Sequence, residues 1–254
     1  MSVLVAIDQG TTSTRTVAFD EKLNVLNSKQ KEYSLQYPND GWVEIEVNEL
    51  IASFYNTFDP VIKNLREISA VGITNQRETT IVWEAKTGNP IYNAIVWQDR
   101  RTADHCYALK KEGYENIVKN KTGLLLDPYF SATKISWILD NIDGARQKAV
   151  KGDLRFGTVD TYLMWHLSNG AIFKTDITNA SRTNLYNIHT KSWDDELLDI
   201  FDIPFSMLPH VHDSDYNFGT VTRDNMEFTI NGVIGDQQSA LVGQKCFDFG
   251  QMKA

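Results

Sequence analysis

Cysteine and proline are scarce in this sequence, with two cysteines and six prolines in 254 residues. Cys106 and Cys246 lie far apart without metal-ligand spacing, so we expect two reduced thiols rather than a disulfide framework or a zinc site. No apolar run approaches the ~20 residues that a membrane-spanning helix needs, and the chain opens on a strand-like segment rather than a signal peptide. These absences predict a cytoplasmic protein without membrane insertion.

Basic charge is also in short supply, because 25 Lys and Arg face 33 Asp and Glu, for a formal net charge of −8. A general nucleic-acid-binding protein needs a basic face for phosphate backbones. The densest basic stretches, at 110–111 and 148–151, are short enough to be solvated helix faces. We therefore expect no nucleic-acid partner. A composition of 42% hydrophobic and 23% charged residues is ordinary for a globular protein.

Strand-like and helix-like segments alternate along the chain, which predicts the α/β class. The first three strand-like segments are joined by tight turns and predict an antiparallel meander. Residues 47–65 carry apolar side chains at helical spacing, and they predict a helix with Asn48 as N-cap and a kink at Pro60. The other predicted strands are 69–74, 79–84, 89–97, 154–159, 171–175, 183–188 and 227–236. The other predicted helices are 100–111, 115–120, 131–142, 160–167, 194–201 and 236–244.

The loop AIDQGTTSTR, residues 6–15, has the composition of a phosphate-binding loop. Gly10 permits a positive φ and close backbone approach, and the hydroxyls of Thr11, Thr12 and Ser13 add donors. The loop lacks the lysine of a Walker loop and begins with Asp8, which fits a divalent cation between that carboxylate and a phosphate. An ordinary Gly/Thr hairpin with Asp8 as turn former explains the same residues equally well.

The stretch ITNQRETT, residues 73–80, puts Arg77 and Glu78 between two apolar strands. Adjacent side chains of an extended chain point in opposite directions, which favours contacts with a third group over a mutual salt bridge. A fork of donors beside a pair of acceptors suits vicinal hydroxyls. A solvated charged turn is the alternative interpretation.

Asp236, in IGDQQSAL at residues 234–241, follows a buried strand and opens a helix. Ligands of α/β proteins bind at such strand ends, where a carboxylate can accept the proton of an alcohol. A helix N-cap explains the same position equally well. Trp97 and Tyr129, in IVWQDRR and DPYFSATK, offer flat walls to a ligand, although aromatic residues in such stretches more often belong to the core.

Taken together, these segments resemble the FGGY carbohydrate kinases, and NQRETT and TNASRT resemble the branch of that family that phosphorylates glycerol. The stretches that carry the resemblance, in chain order, are DQGTTSTR, ITNQRETTIVW, YNAIVWQDRR, DPYFSATK, FGTVDTYL, TDITNASRT and GDQQSALVGQ. The resemblance implies an actin-like ATPase fold with a domain of ribonuclease-H-like topology. In that domain a mixed five-stranded sheet is flanked by helices, with additional helical and β segments.

The resemblance further implies ATP-dependent phosphorylation of glycerol to sn-glycerol 3-phosphate, with ATP and Mg²⁺ as nucleotide and metal. Asp236 is then the catalytic residue that deprotonates or orients the reacting hydroxyl. The positions that match the glycerol site of the family are Arg77, Glu78, Trp97, Tyr129, Asp236 and Gln237. Those that match its nucleotide-phosphate loop are Thr11, Thr12, Ser13 and Arg15, and Asp8 matches its magnesium-associated carboxylate.

The resemblance also implies that residues 1–254 form the amino-terminal, glycerol-binding domain of such a kinase, with the carboxy-terminal ATP-binding domain outside this chain. We expect the isolated chain to transfer phosphate negligibly and the full-length protein to be a homo-oligomer. One alternative is another sugar or polyol kinase of the family. A non-catalytic actin-like nucleotide-binding module is disfavoured because it needs no polyol-binding residues. A ribonuclease-H-type nuclease is disfavoured because it needs clustered carboxylates and a basic groove.

Overall fold

The structure is a computed structural model that describes residues 2–253. Its strands are β1 Leu4–Gln9, β2 Ser13–Phe19, β3 Val25–Glu32, β4 Glu44–Ile45, β5 Ala70–Asn75, β6 Ile81–Glu84, β7 Ala94–Ile95, β8 Leu154–Gly157, β9 Lys174–Asp176, β10 Tyr186–Asn187, β11 Ser192–Trp193, β12 His210–His212, β13 Gly219–Arg223 and β14 Met226–Gly235. Its helices are α1 Val47–Ile62, α2 Ala103–Lys111, α3 Glu115–Thr122, α4 Ser131–Asn141, α5 Ala145–Val150, α6 Val159–Leu167, α7 Ile177–Ala180, α8 Asp195–Phe201 and α9 Asp236–Gly243. A short 3₁₀ helix spans Phe205–Met207.

The central element is a mixed sheet of six strands in the order β13-β14-β5-β1-β2-β3. Strands β1, β2 and β3 pair antiparallel, which confirms the predicted meander, and β5 pairs parallel with both β1 and β14. The sheet therefore has one strand more than the five implied by the resemblance. The extra strand is β13, which pairs with β14 across a two-residue turn. Asp224 and Asn225 both have positive φ there, as a twisted hairpin turn requires.

One face of the sheet packs against α1 and α6. Helix α1 buries Leu50, Phe54, Phe58 and Val61, in agreement with the helical spacing of its apolar residues. The carboxylate of Glu46 caps this helix by accepting the amide N–H groups of Asn48 and Glu49, so the predicted N-cap at Asn48 is wrong by two positions. A glutamate is rarely an N-cap, which is why the sequence favours the asparagine. The helix continues through Pro60 to Ile62.

A second apolar cluster lies beside this core and joins α4, α5 and α8 to the β6–β8 pair. Its members include Val82, Ile135, Phe156, Leu198 and Phe201. The sequence pattern does not predict α5 and α7, because six and four residues are too few to show helical periodicity. Among residues 2–253, no helix has the length and apolar character needed to cross a bilayer. Both cysteines are free thiols.

The opposite face of the sheet carries exposed and polar residues next to the strand ends. Along β1, Val5 and Ile7 are buried whereas Ala6 and Asp8 are exposed, which is the alternation of a strand with one face in the core. Asp8 therefore points away from α1 and α6.

The ends of β1, β5 and β14 lie side by side at one edge of the sheet. In the two parallel ladders Gln9 pairs with Asn75, and Asn75 pairs with Gly235. The segments that follow are the loop 10–12, residues 76–80 and helix α9. Ligands of open α/β sheets bind at such an edge.

Candidate active site

A cavity of about 90 Å³ opens at this edge of the sheet. Its lining residues are Thr11, Arg77, Glu78, Trp97, Tyr129, Asp236 and Gln237. Every residue expected to hold the polyol is in this set, together with one residue of the predicted phosphate loop. A cavity of this size is below the ~300 Å³ at which drug-sized ligand pockets begin, so it suits a small molecule with a few carbon atoms.

Glu78 occupies a sharp turn with unusual backbone geometry. The amide of Thr79 donates to the carbonyl of Arg77 at 2.7 Å, and Glu78 between them has a φ of 61°. A positive φ in a residue other than glycine is uncommon and clusters at functional sites. The turn leaves Glu78 1% exposed, which contradicts the alternative of a solvated charged turn.

The buried carboxylate of Glu78 pairs with Arg182. Arg182 Nε donates to Glu78 Oε1 at 2.6 Å, and Arg182 is the residue that sequence reasoning missed. The signal was available in TNASRT, which carries Arg182, but nothing in that stretch reveals its partner. Burial raises the pKa of Glu78, and the hydrogen bond and charge of Arg182 oppose this without cancelling it.

Lys134 lies beneath the site and is fully buried. Its Nζ donates to the carbonyl of Tyr129 at 2.6 Å, which ties the Tyr129 loop to helix α4. Burial lowers the pKa of Lys134 to about 7, while the nearby Glu78 carboxylate acts in the opposite direction. The amine therefore titrates near neutral pH.

Arg77 and Asp236 form an ion pair in the lining of the cavity. Arg77 Nε lies 3.4 Å from Asp236 Oδ1 and makes no hydrogen bond to the described residues, so its N–H remains available. Arg77 is 7% exposed because its stem passes over Gly235. A Cβ at position 235 would lie 2.8 Å from Arg77 Cγ, closer than real Cβ contacts come. Position 235 must therefore be glycine for Arg77 to reach the cavity.

Asp236 is the first residue of α9, and Gly235 occupies the N-cap position. The alternative of Asp236 as N-cap is therefore wrong. One carboxylate oxygen accepts the amide N–H of Gln237 at 2.7 Å, and the side chain is 45% exposed. This half-exposed carboxylate at the mouth of the cavity is accessible to a ligand hydroxyl.

Trp97 and Tyr129 form an aromatic wall, with ring centroids 5.6 Å apart at an interplanar angle of 57°. Trp97 Nε1 donates to Thr11 Oγ1 at 3.0 Å, so the wall is joined to the first loop. Both residues are only half-buried and line the cavity. Trp97 also packs against the main apolar core, so the interpretation as core holds in part for Trp97, while both rings line the cavity.

The first loop is held by its backbone. The amide of Gly10 donates to Ser13 O at 2.9 Å, and Gly10 O accepts from Tyr33 Oη and from Gln76 Nε2. Gly10 is not among the described residues with positive φ. A Cβ there would lie 3.3 Å from Ser13 O, so close approach is what the glycine provides.

The other predicted phosphate-loop residues lie around this turn. The side chains of Thr12 and Arg15 are exposed, and Ser13 Oγ accepts from Gln30 Nε2 at 3.3 Å. Thr11 differs from them because its hydroxyl is already engaged by Trp97. Thr12 and Arg15 are thus the side chains that the fold leaves open to a ligand.

Asp8 lies next to this loop, opposite Arg15 in one ladder and opposite Thr74 in the other. The pKa of Asp8 is raised, first by removal of water around the carboxyl group and then by the charge of Asp236, while Arg15 acts against both. The hydroxyl of Thr74 is buried and has no hydrogen-bond partner within residues 2–253. Among residues 2–253 no three His, Cys, Asp or Glu side chains form a metal cluster. Two carboxylates and a hydroxyl nevertheless fit Mg²⁺, which takes one or two carboxylates and keeps several waters.

The model of the FGGY family of carbohydrate kinases, N-terminal domain, matches residues 3–243 of this sequence. The chain belongs to the FGGY family. The glycerol kinase of Fusobacterium nucleatum is 54% identical over 261 residues, covering 100% of this chain and 52% of its own length. The glycerol kinase of Haemophilus influenzae is 51% identical over 257 residues, which cover 98% of this chain and 51% of that kinase. The chain thus spans about half the length of these FGGY relatives.

Solved FGGY structures agree with the fold. The crystal structure of Plasmodium falciparum glycerol kinase with ADP has a TM-score of 0.93 and 39% identity, and the match covers 98% of this chain and 51% of that one. The gluconate kinase of Lactobacillus acidophilus has a TM-score of 0.83 at 22% identity, covering 96% of this chain and 50% of that one. These similarities confirm the predicted α/β, actin-like architecture.

Proposed function

We propose that the protein containing this chain transfers the γ-phosphoryl group of ATP to a terminal hydroxyl of glycerol, forming sn-glycerol 3-phosphate and ADP. The observation that carries the proposal is the convergence of Arg77, Glu78, Trp97, Tyr129 and Asp236 on one small cavity. The named glycerol kinases that are more than half identical to this chain support the same activity. In this proposal residues 1–254 supply the glycerol site and one wall of the nucleotide site.

The cavity has the chemistry to select a polyol. Arg77 offers an N–H that no described residue accepts, and the Glu78 carboxylate has an oxygen that Arg182 does not occupy. Vicinal hydroxyls satisfy both at once. Because an unpaired buried polar group is costly, a substrate without those hydroxyls is rejected. Trp97 and Tyr129 pack against the carbon chain.

Asp236 is the proposed base. Its carboxylate accepts the proton of the attacking hydroxyl while that oxygen bonds to the γ-phosphorus and the bond to the leaving ADP oxygen breaks. Arg77, 3.4 Å from Asp236, orients the substrate so that its terminal hydroxyl lies at the carboxylate. Positioning and electrostatics supply most of the catalysis in such a transfer.

The first loop is the proposed site of the nucleotide phosphates. Backbone N–H groups of Thr11, Thr12 and Ser13 and the guanidinium of Arg15 are the donors for the phosphate oxygens. Asp8 is the proposed ligand of Mg²⁺, with Asp236 nearby. When bound, that ion would neutralise charge on the phosphates. We also propose a cytoplasmic homo-oligomer with glycerol and ATP, and no nucleic acid, as its partners.

Binding by the chain itself tests the acceptor site. Titrations of residues 1–254 with glycerol, xylulose and gluconate, followed by calorimetry, are expected to give the highest affinity for glycerol. The Arg77→Ala variant is expected to lose that affinity and keep its melting temperature. ATP binding with no polyol binding would instead favour a non-catalytic nucleotide-binding module.

Activity is tested in a hybrid enzyme. Residues 1–254 replace the matching portion of the Fusobacterium nucleatum glycerol kinase, and formation of ADP is measured with each polyol. Glycerol is expected to be the preferred acceptor, and Asp236→Asn is expected to abolish turnover. A hybrid that prefers xylulose or gluconate would show that the chain belongs to another sugar kinase of the family.

A further inference from the structure

Asp176, the last residue of β9, is a fully buried carboxylate outside the cavity. Its Oδ1 accepts from the amide and the side-chain nitrogen of Asn179, at 3.0 and 2.8 Å. Its Oδ2 accepts from the amide and hydroxyl of Thr178, at 3.0 and 2.7 Å, and from Ser214 Oγ at 2.7 Å. An N-cap of the four-residue helix α7 needs only the two amides. The three side-chain donors need another explanation.

The Asn179 side chain connects Asp176 to the end of β5. Asn179 Oδ1 accepts from Asn75 Nδ2 at 2.9 Å, and Asn179 Nδ2 donates back to Asn75 Oδ1 at 3.1 Å. Asn75 Nδ2 also donates to the carbonyl of Gln76 at 2.8 Å. This buried amide pair fixes the backbone one residue before Arg77.

The Thr178 hydroxyl connects Asp176 to the end of β14. It donates to Asp176 and accepts the amide N–H of Gly235 at 2.7 Å. Gly235 lies under Arg77 and immediately precedes Asp236. Ser214 makes a parallel connection, because its carbonyl accepts the amide N–H of Val233 at 2.9 Å.

We propose that Asp176 is a positioning residue that sets the separation between the Arg77–Glu78 turn and Asp236. Asp176 is not among the residues that line the cavity, and the inference rests on the proposed function of those three residues. One carboxylate holds two strand ends that come from distant parts of the sequence. A small displacement of either end moves the hydroxyl-binding pair relative to the proposed base, and reaction rates are sensitive to such misplacement.

A carboxylate is the side chain that this arrangement requires. All five contacts are donations from N–H or O–H groups to two acceptor oxygens. In Asp176→Asn one of those oxygens becomes an NH₂ group, which cannot accept. Thr178→Val removes the hydroxyl that donates to Asp176 and accepts from Gly235, so the connection to the end of β14 is broken and the Gly235 amide loses this acceptor. The connection from Asp176 through Asn179 to the end of β5 remains.

Hydrogen exchange of the ligand-free chain tests the connections without reference to any substrate. Asp176→Asn is expected to increase amide exchange at both 75–79 and 233–237, whereas Thr178→Val increases it only at 233–237. The matched control is Thr175→Val. Thr175 precedes Asp176 in β9, and its buried hydroxyl donates to Asp160 of helix α6. This control is expected to leave exchange at both segments unchanged. If amide exchange in the Asp176→Asn variant rises only within residues 176–180, Asp176 is no more than a local helix cap and the proposal is overturned.

Glycerol affinity and turnover test the functional consequence. Because the displaced end of β14 carries Gly235, which packs under Arg77, the contact of Arg77 with a ligand hydroxyl is weakened, and Thr178→Val is expected to weaken glycerol binding about tenfold. Thr178→Ser keeps the hydroxyl and is expected to restore it. In the hybrid enzyme the turnover of Asp176→Asn is expected to fall more than its glycerol affinity, because the base is misplaced. Thr175→Val is expected to lower the melting temperature and leave glycerol affinity unchanged.

These measurements separate the two proposals. A wild-type chain that binds no glycerol contradicts the proposed function, while the exchange data still decide the connections made by Asp176. A wild-type chain that binds glycerol, with Thr178→Val binding equally well, overturns the positioning role alone. Equal losses of affinity in Thr178→Val and Thr175→Val would assign the effect to general destabilisation and overturn it as well.

Discussion

Glu78 Oε1 accepts a 2.6 Å hydrogen bond from Arg182 Nε, although 104 residues separate the two in sequence. The contact joins the turn after β5 to the segment after α7. It leaves the second carboxylate oxygen of Glu78 for the cavity and directs that side chain into the protein, where burial raises its pKa.

Arg182→Met is expected to weaken glycerol binding and shift its pH dependence. Breaking a fully buried ion pair lowers the free energy of unfolding by ~3–5 kcal/mol. Because Arg182 is 24% exposed, we expect the free energy of unfolding to fall by about 1–3 kcal/mol. Arg182 holds the pKa of Glu78 down, so its removal raises that pKa further. Glycerol needs the carboxylate as acceptor, so the acid-side loss of affinity is expected to begin at a higher pH. Calorimetric titrations over a pH series measure the shift.

Arg146→Met is the control for this prediction. Arg146 is 27% exposed and pairs with Asp140 far from the cavity, so the same group is removed at similar exposure. The pH midpoint of the acid-side loss of glycerol affinity is expected to be the same in Arg146→Met as in the wild type. Arg182→Lys keeps a cation and is expected to shift the midpoint less than Arg182→Met. An unshifted midpoint in Arg182→Met would contradict the role of the pair.

Sequence position alone predicts where the site residues converge, but not how they are held. Parallel strand ends share an edge, so Asp236 and the Arg77–Glu78 pair can be expected together before any contact is known. The partner of Glu78 cannot, because an ion pair between distant segments leaves no local pattern. The positive φ of Glu78 is equally hidden, since glutamate is not a residue that favours that region.

The aromatic wall shows a different limit of the sequence. Trp97 and Tyr129 stand in apolar stretches, where core packing is the usual outcome, and only the family resemblance assigns them to the substrate.

The sequence does not predict the edge strand β13, because five residues before a turn show too little alternation. The first-loop hydrogen bond from Trp97 to Thr11 depends on tertiary packing that no single stretch encodes.

Gly235→Ala is expected to reduce glycerol affinity tenfold or more. The added Cβ would lie 2.8 Å from Arg77 Cγ, so the Arg77 side chain must move out of the cavity. A displacement that breaks the contact with a ligand hydroxyl costs ~1.5–3 kcal/mol, because the bond involves a charged group. Binding calorimetry measures the loss, and thermal denaturation reports the stability.

Gly243→Ala is the matched control for this substitution. Gly243 ends the same helix, and a Cβ there meets nothing within 4 Å. Alanine in a helix is more favourable than glycine by up to ~1 kcal/mol, so we expect equal or higher stability and unchanged glycerol affinity. Similar affinities in the two alanine variants would show that Arg77 does not depend on the close approach to Gly235.

Trp97→Phe and Thr11→Val are expected to weaken glycerol binding by similar amounts. Each removes the 3.0 Å hydrogen bond between the aromatic wall and the first loop, and a neutral hydrogen bond contributes ~0.5–1.5 kcal/mol. The double variant is expected to lose little more than either single one, because the shared contact is already absent. Binding titrations of the four proteins in a double-mutant cycle measure the coupling. Fully additive losses would show that the contact does not support the site.

Lys134→Met is expected to remove a pH-dependent part of the stability. Burial lowers the pKa of the native amine to about 7, whereas the unfolded chain keeps an ordinary lysine. Between pH 7 and the unfolded pKa the unfolded state therefore binds more protons, so this lysine makes unfolding more costly as the pH rises. Denaturant titrations from about pH 7 to pH 9 are expected to show a smaller rise in the free energy of unfolding for the variant than for the wild type.

Lys121→Met is the control for this prediction. Desolvation lowers the pKa of Lys121, but hydrogen bonds to Asp194 and Glu196 outweigh it and the pKa is raised. Lys121 therefore titrates above this pH interval. A wild-type slope retained in Lys134→Met would mean that Lys134 is charged in the native protein, and its neutral form would then have no part in holding the Tyr129 loop.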